Sequence, residues 1–506
     1  MSTSPTIENA PAAPFICACE DFMRSACAGE GFYQAHEGKP YCVLHYPGND
    51  KGALFDKALD RKLKAKDFNF SGVWFHAATN FSGIEFSTRT NFSSATFNRP
   101  VSFVESKFNA EANFKSALFK EGASFYRSSF GGKAQFVSTR FYGEVNFAYV
   151  PFKRGADFSQ AIFGKAAFGK SSVAFFNWAN FHREASFADT KFMEASFKET
   201  KFRREASFRT AAFNSTATFQ EARFYKDADF DHAIFYGLVT FYRADFRAKV
   251  HFIQSAFATR AGFNRTLFRD SVRFEGTEDL KMFEEDSKQR NMFSVQSSLD
   301  LQDAEIIKPR RVAFDALTLR PHWFVKVNPR HFDFTNVSWA TDDLNEEINS
   351  LETAGISHPR EELAIACRRL ADNAEENHRY EEASGFRYMA MDTRRLKNWR
   401  GLKLRRLSWW YWLASGYGER VGRAFVVLMA VMFLFAGLYV LTGHIRVRAW
   451  GDVLGAVNYS LSVMALQKPE PRAVAGLTPL LVTFETILGP VQAALLALAI
   501  RRKFMR

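Results

Sequence analysis

The chain has 506 residues, a net charge of +13 and 47% hydrophobic residues, enough for two or three domains. A basic balance of this size fits nucleic acid, an anionic membrane surface, or neither. Five cysteines (Cys17, Cys19, Cys27, Cys42 and Cys367), four of them at one end, exclude a secreted disulfide scaffold.

Residues 1–14 have no basic start and no apolar core, so they read as a disordered lead-in and not as a signal peptide. Residues 15–66 contain "FICACEDFMRSACAGEGFYQAHEGKPYCVLHYPGNDK". Within it Cys19, Cys27, Cys42 and His45 make a candidate zinc set, with Cys17 the alternative to Cys19 and His36 in reserve. The pair Cys42-x-x-His45 places two ligands on one turn, as a small tetrahedral site requires. A metal would also order a segment too short to hold a core. The spacing matches no standard finger, and the competing reading is a set of free thiols. In either case the segment is expected to cover an exposed β-edge.

From Phe70 onward Phe falls at 75, 81, 86, 92, 97, 103, 108, 114, 119 and 125, and the beat continues to Phe274. Steps of five and six alternate, giving a period of eleven that fits neither an α-helix nor one long strand. Repetition is therefore read first. A short strand and a turn, repeated, give a solenoid. The Phe and the small residue two before it share the inner face, and Asn, Ser, Lys, Arg and Glu point out. Motifs such as "ANFKSALFKEG" and "ASFYRSSFGGK" resemble the pentapeptide-repeat family. That resemblance implies a mainly β fold over residues 67–275, a right-handed quadrilateral β-helix with four short faces per coil. About nine coils stacked at ~4.8 Å give a rod on the order of 45 Å long. Some soluble members of the family imitate DNA with an acidic rod and bind topoisomerases. Here residues 68–275 carry 28 Lys/Arg against 18 Asp/Glu, which makes a poor duplex mimic. Direct nucleic-acid binding is also disfavoured, because the charges look scattered and no aromatic surface for stacking is evident. A protein partner of unknown kind is expected on the coil.

Residues 276–400 read as a mixed segment, with a strand-like return at "RHFDFTNVSW", followed by an α-helical hairpin over 359–397 broken near Asn377. Leu363, Cys367, Leu370 and Ala374 make one apolar stripe; Tyr380, Ala383, Phe386 and Met389 make the facing one. The hairpin is similar to one helix pair of a tetratricopeptide array, with Cys367 a small core residue. Residues 401–423 form a basic, aromatic interfacial segment that includes "SWWYWL".

Residues 424–506 form a two-span α-helical membrane module. Ala424–Thr442 is nineteen residues without a charge, and a second span runs from about Pro479 to Ile500. Positive charge precedes the first span and follows the second, so both termini and the solenoid are expected in the cytoplasm. The tripeptide Gly416-Tyr417-Gly418 matches the core of a potassium filter but stands before the first span. A filter must lie between the spans, after a pore helix. There the chain has "DVLGAVNYSLSVMALQKPEP", an apolar re-entrant helix with Asn458, Ser460 and Ser462 as polar points and no filter glycines. "NYSLSVMAL" and "ETILGPVQAALLALAIRRKFMR" resemble a bacterial membrane-bound pentapeptide-repeat family with such a channel-like module. The resemblance implies an inner-membrane homo-oligomer in contact with lipid, a tetramer if it assembles as two-span pore modules do. Glu485 and Gln492 lie seven residues apart on nearly one face of the second span and, with Asn458 and Ser462, make a candidate polar stripe. Two alternatives stand for Glu485: a pore ring, or a lock on Asn458, Ser462 or Arg446. No catalytic constellation is present and no enzyme is expected. The leading expectation is a channel-like protein whose solenoid senses a partner; the alternative is a non-conducting membrane-anchored scaffold.

Overall fold

The computed structural model describes residues 15–164, 172–276, 292–294, 297–341, 343–397, 407–445, 450–468, 470 and 476–504. The disordered lead-in, Arg446, part of the basic interfacial run and the last two residues of the tail lie outside them. The chain divides into two compact units: Met1–Leu319 with Phe332–Trp339, and Arg320–His331 with Ala340–Arg506.

The first unit is a β-solenoid of about eleven turns. Its two-to-four-residue strands form four parallel ladders, taken here in chain order. The first starts at Trp74–Phe75, the second at Thr79–Asn80, the third at Glu85–Phe86 and the fourth at Thr90–Asn91. Register repeats every coil, as in Leu118 on Arg140 and Phe119 on Phe141. Inside, Phe stacks on Phe: Phe81 on Phe103 at 5.1 Å, Phe103 on Phe125 at 4.8 Å and Phe125 on Phe147 at 4.7 Å between centroids. The small residue two before each Phe is buried with it, as Ala117 and Ala123 are.

The alternation of five and six follows from two kinds of corner. The five-residue step from Phe114 to Phe119 closes through a tight turn in which Ala117 N–H donates to Phe114 O at 3.0 Å. Its third residue, Ser116, takes φ 56°, the left-handed conformation of a type II turn. The step from Phe119 to Phe125 has no such residue and spends one more. Buried hydroxyls satisfy the inward carbonyls, as Thr139 does for Phe114 and Ser106 for Phe81, both at 2.7 Å.

The coil does not stop at residue 275. Strands at Ser298–Asp300, Glu305–Ile306, Val312–Asp315 and Asp333–Thr335 extend three of the ladders. Phe314 stacks on Phe274 at 5.1 Å and Phe334 on Phe314 at 5.4 Å. The expected boundary fell short because Leu301 and Ile306 stand at the levels of Phe263 and Phe268 and Leu319 follows Phe314 at the next inner position, which hides the beat.

The other end is closed by the N-terminal cap. Trp74 N–H of the first coil donates to Leu44 O at 2.9 Å. Helix α1 (Gly52–Lys64) sets the buried Phe55 edge-on against Phe75 at 5.7 Å, over the end of the Phe stack. The buried Lys51 donates to Leu44 O and Trp74 O at 3.1 and 2.7 Å, and burial lowers its pKa to about 7. Unpaired edge groups are thereby satisfied.

The second unit is helical: α2 (Leu344–Thr353), α3 (Pro359–Glu376), α4 (Tyr380–Lys397), α5 (Leu407–Ser415), α6 (Val421–Leu441), α7 (Trp450–Met464) and α8 (Thr478–Phe504). Asp343 caps α2 by accepting from Asn345 and Glu346 N–H. Leu363, Ala366, Cys367 and Met389 pack with Ile348 and Leu351 between α2, α3 and α4. Cys367 is fully buried, which pushes its thiol pKa up. Helices α6 and α8 are long and apolar enough to cross a membrane. Their outer faces carry Phe425, Phe433 and Leu434, and Phe484, Ile487 and Val491, all exposed.

Candidate functional site

In the cap, a 3-10 helix (Asp21–Cys27) ends at Cys27, and a hairpin (Gln34–His36 with Lys39–Tyr41) leads into Cys42. The turn after it brings His45 back on Cys42, with His45 N–H donating to Cys42 O at 3.2 Å. Cys17, Cys27, Cys42 and His45 then hold one ligand atom each within 4.8 Å of all the others. Cys17 Sγ and Cys42 Sγ are 3.8 Å apart, Cys27 Sγ and His45 Nδ1 3.4 Å, and Cys42 Sγ and His45 Nδ1 3.2 Å. A tetrahedral ion with sulfur at ~2.3 Å and nitrogen at ~2.0–2.1 Å needs ligand atoms about 3.5–3.8 Å apart, so this cluster can hold a metal ion. His45 Nε2 lies 3.0 Å from Ser71 O. A proton donated there leaves Nδ1 free as a ligand, the usual outer support of a metal-binding His. The Cys42 N–H donates to Cys17 Sγ at 3.4 Å. Burial pushes His45 down, but the Cys17 and Cys42 sulfurs beside it more than offset this and hold it at about 9.

The quartet corrects the expected set: Cys17, not Cys19, is the fourth member. Ala18 N–H pairs with Pro40 O at 2.7 Å, and the chain bends at Ala18 and Cys19. Cys17 thereby sits against Cys42, and Cys19 reaches only Cys27, at 3.9 Å. His36 is exposed on the hairpin and takes no part.

In the helical unit, α6, α7 and α8 pack together, and Glu485 sits fully buried among them. It accepts from Tyr439 Oη of α6 at 2.6 Å and from Ser460 Oγ of α7. Ser460 also reaches Met432 O at 3.0 Å. Gln492, also buried, donates to Ala414 O at 2.7 Å and Ala424 O at 2.8 Å, tying α8 to α5 and to the start of α6. Gly489 faces Met464 so closely that a Cβ would lie 2.8 Å from its Cγ. Glu485 and Gln492 on α8 are both buried, and their partners are not the ones expected. Asn458 is exposed, Ser462 is half-buried, and neither bonds Glu485 among the described residues. Ser460, two positions from each, does so because it lies on the α7 face turned to α6 and α8. Tyr439 was missed altogether, although a phenol within an apolar span needs a partner.

The Gly-Tyr-Gly tripeptide is a turn between α5 and α6. Gly416, Tyr417 and Gly418 have φ 56°, 63° and 75° in succession, a run that glycine alone adopts freely. Arg502 on α8 donates to Tyr417 O and to buried Glu419 Oε1, both at 3.0 Å. The carbonyl of the decoy filter is occupied by a guanidinium.

On the coil, the expectation of no exposed aromatic surface is corrected. Tyr149 and Trp178 are 43% and 39% exposed and stack at 4.8 Å. Among the histidines, His182 and His232 are exposed.

A profile described as Pentapeptide repeats (9 copies) matches residues 81–129, 125–172 and 187–234, well under half of the chain. The chain thus carries pentapeptide repeats, and the described residues among those matched lie within the stacked coil. No curated protein and no solved structure matches it significantly.

Proposed function

We propose that the protein is a non-catalytic, membrane-anchored scaffold whose coil presents its surface to a protein partner. In this reading α6 and α8 span a bacterial inner membrane, α7 is re-entrant, and both termini and the solenoid lie in the cytoplasm. The coil is right-handed and four-sided, as the resemblance to pentapeptide-repeat proteins implies. The metal in the Cys17, Cys27, Cys42 and His45 cluster is zinc, which would fix the cap on the first coil.

The observation that supports an anchor over a pore is the environment of Glu485. A pore ring needs its carboxylate turned to an aqueous path. Here both carboxylate oxygens are engaged by hydroxyls of the same chain, and the exposed faces of both spans are apolar. An ionisable group inside a membrane segment normally faces a protein interior or a water-filled cavity; this one has the interior, where it locks three helices together.

The channel-like reading draws on α7. Its 15 residues rise only about 22 Å, short of the ~30 Å hydrocarbon core, as a pore helix would, and its Asn458 is exposed. Copies of the chain would then have to build a path around α7. Purified protein in planar bilayers separates the readings. The anchor predicts no current from wild type at any voltage, and a Glu485→Gln variant less stable in detergent. A steady current whose ion selectivity changes in Glu485→Gln would replace it with the channel.

A further inference from the structure

The coil carries a surface that the cap does not use. It comprises the third ladder and the corner that precedes it in each coil. At this corner one residue per coil takes positive φ, and it is polar at most levels, such as Arg127, Glu199 and Arg243. Two successive coils place Tyr149 and Trp178 there instead, at φ 60° and 58°, an uncommon conformation for bulky residues. The two rings stack, Tyr126 meets Tyr149 edge-on at 5.7 Å, and the Arg127 guanidinium lies over Tyr126 and Tyr149 at 5.2 and 5.8 Å. Lys198 lies over Trp178 at 6.0 Å, and Arg243 over Tyr242 at 5.2 Å.

Beside this corner the third ladder is cationic. Lys153, Arg203 and Arg223 are exposed and Lys201 half-exposed; Lys201 and Arg203 share one coil, Arg223 follows on the next and Lys153 stands two coils before them, and none of the four forms an ion pair among the described residues. Tyr225 lies between Arg203 and Arg247, at 5.6 and 4.4 Å. The acids on the surface are fewer. Glu105, Glu199, Glu221 and Asp303 stand at the corner, Glu85 and Glu305 lie at the two ends of the third ladder, and Asp245 is bound by Arg247 and Arg269 at 2.8 and 2.7 Å.

Rings and cations interleaved in this way suit a polyanion, and the ring geometry narrows the choice. A single-stranded nucleic acid needs open ring faces on which bases stack. The faces of Tyr149 are engaged by Trp178 and Arg127, and those of Tyr225 by two guanidiniums. A flat anionic surface makes no such demand. Trp and Tyr settle at headgroup level, and Lys and Arg are drawn to an anionic leaflet within about 10 Å at 0.1 M salt.

We infer that this face of the solenoid docks on an anionic lipid surface. The inference rests on the membrane-anchored reading, because the two spans keep a bilayer at high effective concentration. The face then acts as a second, electrostatic contact and leaves the other three ladders open to a partner.

The test is hydroxyl-radical footprinting of the full chain in nanodiscs of phosphatidylcholine alone and of phosphatidylcholine with phosphatidylglycerol. Oxidation of Tyr149 and Trp178 should fall several-fold in the anionic discs and recover at high salt. Oxidation of Tyr236, 48% exposed on the first ladder, should not change. The triple variant Lys201→Glu, Arg203→Glu, Arg223→Glu, with its thermal midpoint retained, should show no protection. Equal oxidation in both discs overturns the inference, as does protection that appears only with added poly(U) RNA. A chain that fails to enter discs of either composition removes the anchored reading and this inference with it.

Discussion

Cys17 and Cys19 differ by two positions, and in an extended segment both face one way. Only a tertiary contact, the Ala18 pairing with Pro40, decides which sulfur joins Cys42. The presence of a Cys/His cluster was therefore legible and its membership was not. Elemental analysis of reduced protein should find one metal per chain in wild type and in Cys19→Ser, and none in Cys17→Ser or Cys42→Ser; loss on Cys19→Ser alone would reverse the assignment. Glu485 gives the same lesson. Its depth in the span marked it, but i, i+2 neighbours on α7 could not be told apart without knowing the face. Removing its carboxylate with Glu485→Leu takes away the acceptor of the Tyr439 hydroxyl, while Ser460 keeps Met432 O; this should cost about 1–3 kcal/mol in a detergent melt, and more than Glu485→Gln. On the coil, burial pushes Asp245 up, but hydrogen bonds from Arg269 and Arg247 hold it below the usual carboxylate value. A depressed folded pKa adds stability that is present above the ordinary aspartate range and lost as pH falls through the lower folded value. The pair is largely exposed on the Arg side, so about 1 kcal/mol or less is expected. The stability gap between wild type and Asp245→Asn should be constant near neutrality and close in acid.

Among the elements, the stacked Phe columns carry the coil. Phe125 lies 4.8 and 4.7 Å from Phe103 and Phe147 and is fully buried. Phe125→Ala should therefore lower stability by about 3–5 kcal/mol, measured by denaturant unfolding. These elements were legible because one residue type marks every turn and because the five/six rhythm reports two corner geometries. The last coils were not, since Leu and Ile fill the same inner positions without a distinctive letter. Helix α1 was missed although Phe55, Ala58, Leu59 and Leu63 recur at helical spacing. Gly-Tyr-Gly was legible as misplaced for a filter, though not as a left-handed turn. Gly418→Ala would put a methyl 2.9 Å from Tyr411 Oη at φ 75°, so a lower melting temperature of the helical unit is expected; an unchanged midpoint would show that the turn relaxes freely.

In the proposed reading the whole molecule joins a binding surface to a membrane anchor. A β-solenoid offers long, regular faces, and fold alone assigns it no activity. In that reading the pair of apolar helices and the charge that flanks them would tie it to a membrane. The account therefore stands or falls on topology. Cysteine labelling of intact cells with a membrane-impermeant maleimide, comparing Lys468→Cys between α7 and α8 with Lys153→Cys on the coil, measures it directly. The account predicts that position 468 is labelled from outside and position 153 only after the membrane is opened. Labelling of position 153 in intact cells, or of neither until lysis, would contradict it.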